Sequence, residues 1–514
     1  MQHPAQHARE MPDKPAYIMA GTGKVVTYGE LDRRSTQIAR LFRSLGLGAG
    51  DHIALLLPND EHFMQICWGA QRSGLIYTPI STHLKRDEIG YILQNSDAAL
   101  LVTSAAFAPL ICEGEQAGIA LPHLFLVDGA APGFASWPEA IAAQSDQPIA
   151  DEQAGARMVY TSGTTGQPKG VLSDFTPGTP IGTMPAKLAG MAKIFGIDEQ
   201  TVLLSPAPLY HSAPLGFVHI VMHLGGTAVI LDKFDAEAAL RAIETYRVTH
   251  SQWVPIMFHR MLALEERVRE SYDLSSHRVA IHAAAPCPVE LKRRMIAWWG
   301  PILAEYYAST ESTGFTAIDT PEWLAHPGSV GRAKGSTIHI LDDDGEELPS
   351  GEVGMVFFEA AKGRFAYYKD PDKTAASYND QGWASVGDLG YVDEEGYLYL
   401  TDRKSFMIIS GGVNIYPQEI ENLLLGHPKV ADVAVIGIPN EEFGEEVKAV
   451  VQPRSWEEAG ADLALELTVW CRDRLANLKV PRSFDFEREL PRQENGKLYK
   501  KLIIDHYLRN HARS

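Results

Sequence analysis

The sequence contains little cysteine, no long apolar run and no excess of positive charge. Its four cysteines are scattered over 514 residues and form no CxxC pair, which argues against a zinc site and against a disulfide framework. Lysine and arginine total 46 against 65 acidic residues, which gives a net charge of −19. An acidic chain of this kind is a poor candidate for binding nucleic acid or an anionic membrane through its overall field. We therefore expect neither of these partners.

Two further absences concern the cellular location. The first ten residues lack an apolar core of signal-peptide length. The longest apolar runs have the length of a β-strand and fall far short of the roughly 20 residues that a membrane-spanning helix needs. Together with the dispersed cysteines, these absences predict a cytoplasmic protein without an integral membrane segment.

The composition is that of a globular protein, with 45% hydrophobic and 22% charged residues. A chain of 514 residues exceeds one ordinary core and suits two or more domains. Short β-type runs alternate with amphipathic helical stretches, which is typical of α/β layers with helices covering mainly parallel sheets. The expected strands are 53–57, 75–79, 99–103, 202–205 and 227–231, and the expected helices are 61–73 and 236–246.

The pattern changes twice along the chain. From about residue 328 it indicates β-hairpins, punctuated by glycine. A polar stretch at 402–405 follows, and beyond it a helix opened by Pro417 and a further strand indicate a small α+β unit. The predicted organisation is a large α/β region at 1–401, a linker at 402–405 and a small domain at 406–514.

A loop rich in glycine and hydroxyl groups is the most informative segment. It follows the apolar pair Met158-Val159 and reads Tyr-Thr-Ser-Gly-Thr-Thr-Gly-Gln-Pro-Lys-Gly over 160–170. Glycines let backbone N–H groups converge on an anion, and the hydroxyls and the lysine add donors. A solvated surface turn is the alternative interpretation, while the spacing differs from that of P-loop NTPases. The candidate phosphate-binding residues are Thr161, Ser162, Gly163, Thr164, Thr165, Gly166 and Lys169.

Four further segments follow this loop in a fixed order. They are Tyr-Ala-Ser-Thr-Glu at 307–311, Ser-Val-Gly-Asp at 385–388, Asp402-Arg403 with the stretch 409–421, and Pro-Arg-Gln-Glu-Asn-Gly-Lys at 491–497. The ordered set resembles the motifs of the adenylate-forming superfamily, in its acyl-CoA synthetase branch. The resemblance implies a large N-terminal domain of two β-α layers plus a distorted β-barrel, with a small mobile α+β C-terminal domain.

The resemblance also implies a two-step ligation. A carboxylate attacks the α-phosphate of ATP and releases pyrophosphate, and a thiol then attacks the acyl-adenylate. Because the first step joins two anions, positioning and positive charge must carry it. Lys497 would reach both reacting groups, Glu311 would hold Mg²⁺, and Thr310 would bond phosphate. Asp388 would accept both ribose hydroxyls, and Arg403 would contact the ribose or a phosphate.

Further site residues follow from the same resemblance. They are Ala283, Ala284, Ala285 and Tyr307 for ATP, His211 for the carboxylate side, Ser410, Gly411 and Gly412 for CoA, and Asp402 and Ser405 for the hinge. Small side chains would leave room for the adenine ring and the pantetheine arm, although alanine runs also occur in ordinary cores. For His211 a structural role is the alternative. Two positions depart from the family pattern, because Ala308 replaces a glycine and Ser405 replaces an acidic or lysine hinge residue.

Three other patterns favour structural interpretations. The Walker-like run at 21–24 lacks the upstream glycine and predicts a hairpin turn. His219 and His223 are four residues apart, but Ile220 stands where the HExxH pattern needs glutamate, so helix packing is preferred over zinc. The acidic run at 342–345 lacks the spacing of a calcium loop and predicts a charged turn.

The sequence thus predicts an AMP-forming acid–CoA ligase that uses ATP, Mg²⁺ and CoA, with a second copy of the chain as a candidate partner. An enzyme that loads a separate carrier protein is an alternative, and so is an inactive binding relative. The second alternative is disfavoured, because the candidate catalytic residues are all present.

The acid is predicted from two apolar stretches. The first is the largely apolar segment between His211 and His223, to which Tyr210 and Phe217 add aromatic surface, and the second covers 253–258. If they line the pocket, each buried methylene of the substrate gains about 0.8 kcal/mol, which favours a medium- or long-chain fatty acid. A bulky aromatic or steroid-type acid is the alternative substrate, and plain core packing is the alternative interpretation of both stretches.

Overall fold

The computed structural model describes residues 3–112, 121–161, 167–173, 175–360, 365–440, 442–492 and 498–511. The strands are β1 (Pro15–Met19), β2 (Lys24–Thr27), β3 (His52–Leu56), β4 (Ile76–Pro79), β5 (Ala98–Thr103), β6 (His123–Leu126), β7 (Ala135–Ser136), β8 (Ala156–Thr161), β9 (Lys169–Leu172), β10 (Val202–Ser205), β11 (Thr227–Ile230), β12 (His250–Trp253), β13 (Val279–His282), β14 (Leu303–Ala308), β15 (Phe315–Asp319), β16 (Arg332–Ala333), β17 (Ser336–Leu341), β18 (Gly354–Ala360), β19 (Asp388–Val392), β20 (Leu398–Arg403), β21 (Ile408–Ser410), β22 (Val413–Ile415), β23 (Val430–Asn440), β24 (Gly444–Pro453) and β25 (Ser483–Phe486).

The helices are α1 (Pro4–Glu10), α2 (Tyr28–Ser44), α3 (Glu61–Arg72), α4 (Arg86–Asn95), α5 (Ala108–Cys112), α6 (Trp137–Ala142), α7 (Ala186–Phe195), α8 (Ser212–Leu224), α9 (Ala236–Thr245), α10 (Pro255–Leu262), α11 (Glu266–Arg269), α12 (Val289–Trp299), α13 (Thr320–Ala325), α14 (Pro371–Ala375), α15 (Pro417–Leu425), α16 (Ala461–Arg472) and α17 (Lys500–His511). In the described ranges, no helix has both the length and the apolar character needed to cross a bilayer.

Two large sheets organise the first three hundred residues. One has nine strands in the order β16-β15-β14-β13-β12-β10-β11-β1-β2, and the other has seven in the order β7-β6-β5-β3-β4-β8-β9. Their central strands run parallel, and antiparallel pairs lie towards the edges. Parallel strands are covered on both faces by helices, which explains their continuous apolar runs.

One hydrophobic core joins the two sheets. It contains Leu203 from the nine-stranded sheet, Ile53 from the seven-stranded sheet, and Ile38, Phe63 and Phe217 from α2, α3 and α8. These three helices therefore pack between the sheets. The arrangement confirms the predicted large domain of two β-α layers.

The remaining strands form two antiparallel units. Strands β17-β18-β19-β20 form a four-stranded sheet where the distorted barrel was expected. Strands β21 to β25 form a five-stranded sheet with a core of its own, which includes Val433, Val451 and Leu467. A small C-terminal domain is thus confirmed, while its limits at 402–405 and 406–514 stay predictions.

The structural interpretations of the three other patterns are confirmed. Residues 21–23 connect the antiparallel strands β1 and β2. His219 is buried in α8, where its Nε2 lies 3.0 Å from the hydroxyl of Tyr77, and His223 is also buried. The acidic run forms a turn in which the backbone N–H of Asp342 donates to the carbonyl of Glu346. Across the described ranges, no three His, Cys, Asp or Glu side chains converge as metal ligands.

Candidate active site

Two neighbouring strands of the nine-stranded sheet bring candidate residues to one edge. Strands β13 and β14 are parallel and paired, so their carboxyl ends lie side by side. Residues 283–285 follow β13, and Tyr307 is the last residue but one of β14, shortly before Thr310 and Glu311. Ligands in open α/β sheets bind beyond the carboxyl ends of the strands. The alanine stretch and the Tyr307 motif therefore share one edge, as a common nucleotide site requires.

Ala283, Ala284 and Ala285 differ in exposure. Ala283 is buried, whereas Ala284 is exposed and Ala285 is intermediate. Ala284 adopts a φ of +76°, which is a left-handed conformation that residues other than glycine seldom adopt. This turn places a small exposed side chain at the sheet edge, where a flat ring has room.

Asp388 is the centre of a hydrogen-bonded group. Its Oδ2 accepts a hydrogen bond from the hydroxyl of Tyr307 at 2.5 Å, and its Oδ1 accepts one from Nε of Arg403 at 2.9 Å. Asp388 and Arg403 are direct partners in the antiparallel pair β19–β20. The strand register therefore sets the ion pair, and the Tyr307 hydroxyl reaches it from the nine-stranded sheet.

Burial and charge tune this group further. Burial, followed by the charge of Asp388, raises the pKa of Tyr307 well above its ordinary value. Burial alone would lower the pKa of Arg403, but the neighbouring Asp388, Tyr307 and Glu311 raise it. At neutral pH, Tyr307 is thus a hydrogen-bond donor and Arg403 is a cation. Because the charge of Glu311 raises the pKa of Arg403, the Glu311 carboxylate lies close enough to interact electrostatically with this arginine.

Glu311 belongs to a second group. Its Oε1 accepts a hydrogen bond from the hydroxyl of Tyr367 at 2.8 Å, and Nζ of Lys169 lies 4.7 Å from the centre of the Tyr367 ring. Burial and the charge of Lys373 lower the pKa of Lys169, while Glu311 opposes them. One lysine, one carboxylate and one phenol therefore meet on the side of the glycine-rich loop.

Two paired strands flank that loop. Thr161 ends β8 and is the register partner of Lys169, the first residue of β9. The residues Ser162, Gly163, Thr164, Thr165 and Gly166 lie outside the described residues, and so does Lys497. Of the two flanking residues, Lys169 reaches the group of Glu311, through the ring of Tyr367.

His211 lies on a different element. It is the N-cap residue of α8, and its ring centre is 4.5 Å from that of Tyr210. This position follows from the sequence, because the stretch 206–211 connects β10 to α8 and its prolines favour such a turn.

The predicted hinge has regular structure. Asp402 is in β20, and its Oδ2 accepts a hydrogen bond of 2.9 Å from the backbone N–H of Gln418 at the start of α15. Ser405 lies in a 3₁₀ turn at Lys404–Phe406. Nζ of Lys404 forms a 2.6 Å ion pair with Asp343 of the large domain. In this structure, therefore, the predicted hinge is tied to both domains.

The predicted CoA-side residues form a tight turn in the small domain. Ser410 ends β21, and Gly411 and Gly412 have φ values of +59° and +80° before β22 begins. Glycine, which has no Cβ, adopts two such conformations in succession most readily. The hairpin thus favours these glycines for its backbone, which is a structural reason that the sequence pattern did not reveal.

The two apolar stretches lie in the core. Phe217 is fully buried and packs against Phe195 and Tyr306, with ring centres 5.8 and 6.0 Å apart. Trp253 is also fully buried, 5.5 Å from the ring of Trp299. Plain core packing was therefore the better interpretation, and these residues carry no argument about the acid.

Tyr367 is the site residue that the sequence analysis missed. It contacts both Glu311 and Lys169, although it belongs to none of the motifs that were recognised. A possible signal was the unusual run Phe-Ala-Tyr-Tyr-Lys at 365–369, which combines aromatic rings with a cation in a loop. Such a run also fits ordinary packing, so the sequence alone could not decide.

Comparison with known proteins identifies the family. The family described as AMP-binding enzyme matches residues 4–363, and the AMP-binding enzyme C-terminal domain matches residues 419–497. A feruloyl-CoA synthase of an Amycolatopsis species is 33% identical over 503 residues, covering 97% of this chain and 96% of that protein. The fatty acid–[acyl-carrier-protein] ligase ScoC of Streptomyces coeruleorubidus is 32% identical over 523 residues, covering 99% and 96%.

A solved structure agrees with these matches. ATP-bound MatB from Rhodopseudomonas palustris is similar with a TM-score of 0.82 at 27% identity, covering 98% of this chain and 99% of that chain. Fold, domain order and motifs thus agree over nearly the whole length. The chain belongs to the AMP-binding enzyme family, in the acyl-CoA synthetase branch of the adenylate-forming superfamily, and is an AMP-forming acid–CoA ligase.

Proposed function

We propose that the enzyme activates a hydrophobic carboxylic acid, and that the two hydrogen-bonded groups at the sheet edge bind the nucleotide. The observation that carries this proposal is the convergence of Tyr307 and Arg403 on Asp388. A carboxylate held in this way presents its remaining acceptor capacity in a fixed direction, which suits the paired hydroxyls of a ribose. Arg403 supplies positive charge beside it for a phosphate or the ribose.

The second group is assigned to the phosphates. Lys169, at the end of the glycine-rich hairpin, offers a cation, and the hydroxyls of Thr161 and Thr310 offer donors. Glu311 offers an oxygen ligand for Mg²⁺, and its hydrogen bond with Tyr367 holds the carboxylate in place. A single protein carboxylate fits magnesium, which is commonly bound by one or two carboxylates together with substrate phosphates. When bound, the ion neutralises charge on the phosphates.

Lys497 is assigned to the attack itself. A cation placed between the acid carboxylate and the α-phosphate reduces the repulsion between two anions as they approach. The domain boundary at 402–405 is the proposed pivot, with Asp402 and Ser405 at its ends, so that the small domain delivers Lys497 in one orientation. In the other orientation it presents Ser410, Gly411 and Gly412 to CoA.

For the acid, we keep a medium- or long-chain fatty acid as first candidate, although Phe217 and Trp253 no longer support it. Its remaining support is the similarity to a fatty acid ligase at 32% identity. An aromatic acid is the second candidate, supported by the similarity to a feruloyl-CoA synthase at 33% identity. His211 is assigned to the carboxylate end of either acid, because it begins α8 beside the aromatic ring of Tyr210.

The test measures pyrophosphate release from ATP in the presence of acetate, octanoate, palmitate or ferulate, each with and without CoA. The acyl-CoA product is measured separately. We expect kcat/KM to rise from acetate to octanoate, because longer chains bury more apolar surface. A maximum at ferulate would select the aromatic candidate, and a maximum at acetate would exclude both. Pyrophosphate release without any acyl-CoA product would favour transfer to a carrier protein.

A further inference from the structure

Arg157 connects the two halves of the site. It is the second residue of β8 and is partly buried. Its Nη1 donates to the carbonyl oxygen of Ser212 at 2.9 Å, and its Nη2 donates to the hydroxyl of Ser212 at 3.4 Å. A Cβ placed on Gly216 would lie 3.7 Å from Nη1. The guanidinium therefore lies against the first turn of α8, directly after His211.

Among the described residues, no carboxylate pairs with the charge of Arg157. The titratable groups that act on it are Tyr77 and Cys67, and it in turn acts on His219. Burial raises the pKa of Tyr77 and of Cys67 and lowers the pKa of His219, so all three are neutral at pH 7. In the described part of the chain, Nε of Arg157 is buried and makes no hydrogen bond.

A second arginine of the same domain shows the contrast. Arg72 is 1% exposed, and it pairs with Asp32 at 2.8 Å and with Glu152 at 2.6 Å. It also donates to the hydroxyl of Ser35 at 3.0 Å. A cation that leaves water is costly unless it is paired and hydrogen-bonded. Arg72 meets this requirement, whereas Arg157 adds a charge for which the described residues supply no counter-ion.

The two elements that Arg157 joins depend on it to different degrees. Strand β8 is paired with β4 on one side and β9 on the other, so its place does not need Arg157. The start of α8 follows a loop rather than a paired strand, and Arg157 donates two hydrogen bonds to Ser212, the first residue of the helix. Losing Arg157 should therefore shift the first turn of α8 and leave the pair of β8 and β9 in place.

We infer that Arg157 is a positioning residue, which fixes the first turn of α8, and with it His211, relative to the strand that leads into the phosphate-binding loop. The inference rests on the proposed function, because it gives His211 its place at the acid carboxylate. It gives a reason for an arginine at this point, where the described ranges hold no counter-ion for it. The residue keeps His211, on the acid side of the site, at a fixed position relative to the nucleotide side.

The test is Arg157→Met, assayed by pyrophosphate release with the best acid of the panel. We expect KM for the acid to rise about ten-fold, the scale of losing a hydrogen bond from a charged group, with KM for ATP changed less than about two-fold. The midpoint of thermal unfolding should stay the same or rise, because an apolar replacement removes an unpaired ion. Arg157→Lys, which keeps the charge but not the planar fork, should recover part of the acid affinity.

Arg72→Met is the matched control, and it should lower the unfolding midpoint without a selective change in either KM. If Arg157→Met behaved like this control, or if it left KM for the acid unchanged, the inference would be overturned. His211→Ala, assayed in parallel, separates the inference about Arg157 from the proposed role of His211 at the acid carboxylate. A raised acid KM in His211→Ala alone would overturn only the inference, whereas a raised acid KM in Arg157→Met alone would overturn the role of His211.

Discussion

The nucleotide side and the acid side of the candidate site are built differently. On the nucleotide side, Tyr307, Asp388 and Arg403 stand at strand ends and hold one another by hydrogen bonds of 2.5 and 2.9 Å. On the acid side, His211 begins a helix whose large apolar residues, such as Phe217, face the core. The first side is fixed by backbone pairing within the four-stranded sheet and by a side-chain hydrogen bond from the nine-stranded sheet, whereas the second depends on how one helix packs. We expect the nucleotide side to tolerate little change.

The largest effect is expected at Lys497, which serves both sides. In Lys497→Ala, kcat for pyrophosphate release should fall roughly 10²–10³-fold, the scale of a lost electrostatic stabiliser of the transition state. Thioester formation from supplied acyl-adenylate and CoA should persist, because the lysine is needed only while the carboxylate and the phosphate approach. Rapid-quench measurement of each half-reaction provides the comparison.

Lys501→Ala removes a lysine of α17, four residues after Lys497. It is the control for a general loss of positive charge near the end of the chain. It should leave both half-reactions near the rates of the unaltered enzyme. An equal loss of both half-reactions in Lys497→Ala would contradict the assignment of this lysine to the first step.

The next effect is expected at Asp388, within the nucleotide side. Asp388→Asn keeps the shape of the side chain but removes its negative charge. That charge pairs with Arg403 and strengthens the hydrogen bond from Tyr307. We expect KM for ATP to rise about 10- to 100-fold, because hydrogen bonds to charged groups contribute about 1.5–3 kcal/mol, while KM for the acid changes little. Asp393→Asn, at the far end of the same hairpin, should leave both constants unchanged. Equal changes in both KM values for Asp388→Asn would mean that the two sides are not separate.

A smaller effect is expected at Glu311, where the metal requirement can be measured. Glu311→Gln should raise the Mg²⁺ concentration for half-maximal activity several-fold, because a neutral amide oxygen is a poorer ligand for a hard dication. Tyr367→Phe removes only the hydrogen bond that orients this carboxylate, so it should shift the same midpoint less and in the same direction. A Glu311→Gln enzyme with an unaltered Mg²⁺ titration would place the ion at another residue.

The contacts among the nucleotide-side residues follow from short contiguous segments, while the nucleotide-binding roles of these residues stay predictions. The pairing of Asp388 with Arg403 needs only the hairpin, and the neighbouring positions of 283–285 and Tyr307 need only two adjacent parallel strands. The direction in which a helical residue faces depends instead on tertiary packing. For this reason the pattern around Phe217 fitted a pocket wall and a core equally well. Tyr367 and Arg157 were missed for the same reason, because their partners lie far away in the chain.

The smallest effect on activity is expected at Phe217, and it tests the acid side directly. The ring is fully buried against Phe195 and Tyr306, so Phe217→Ala should cost about 3–5 kcal/mol of unfolding free energy through the cavity that it leaves. The order of kcat/KM over acetate, octanoate, palmitate and ferulate should not change, because the side chain packs in the hydrophobic core. Phe217→Leu, which fills more of the space, should lose less stability. If Phe217→Ala instead reordered the four acids at little cost in stability, the helix would face the substrate, and the division between a rigid nucleotide side and a core-backed acid side would have to be redrawn.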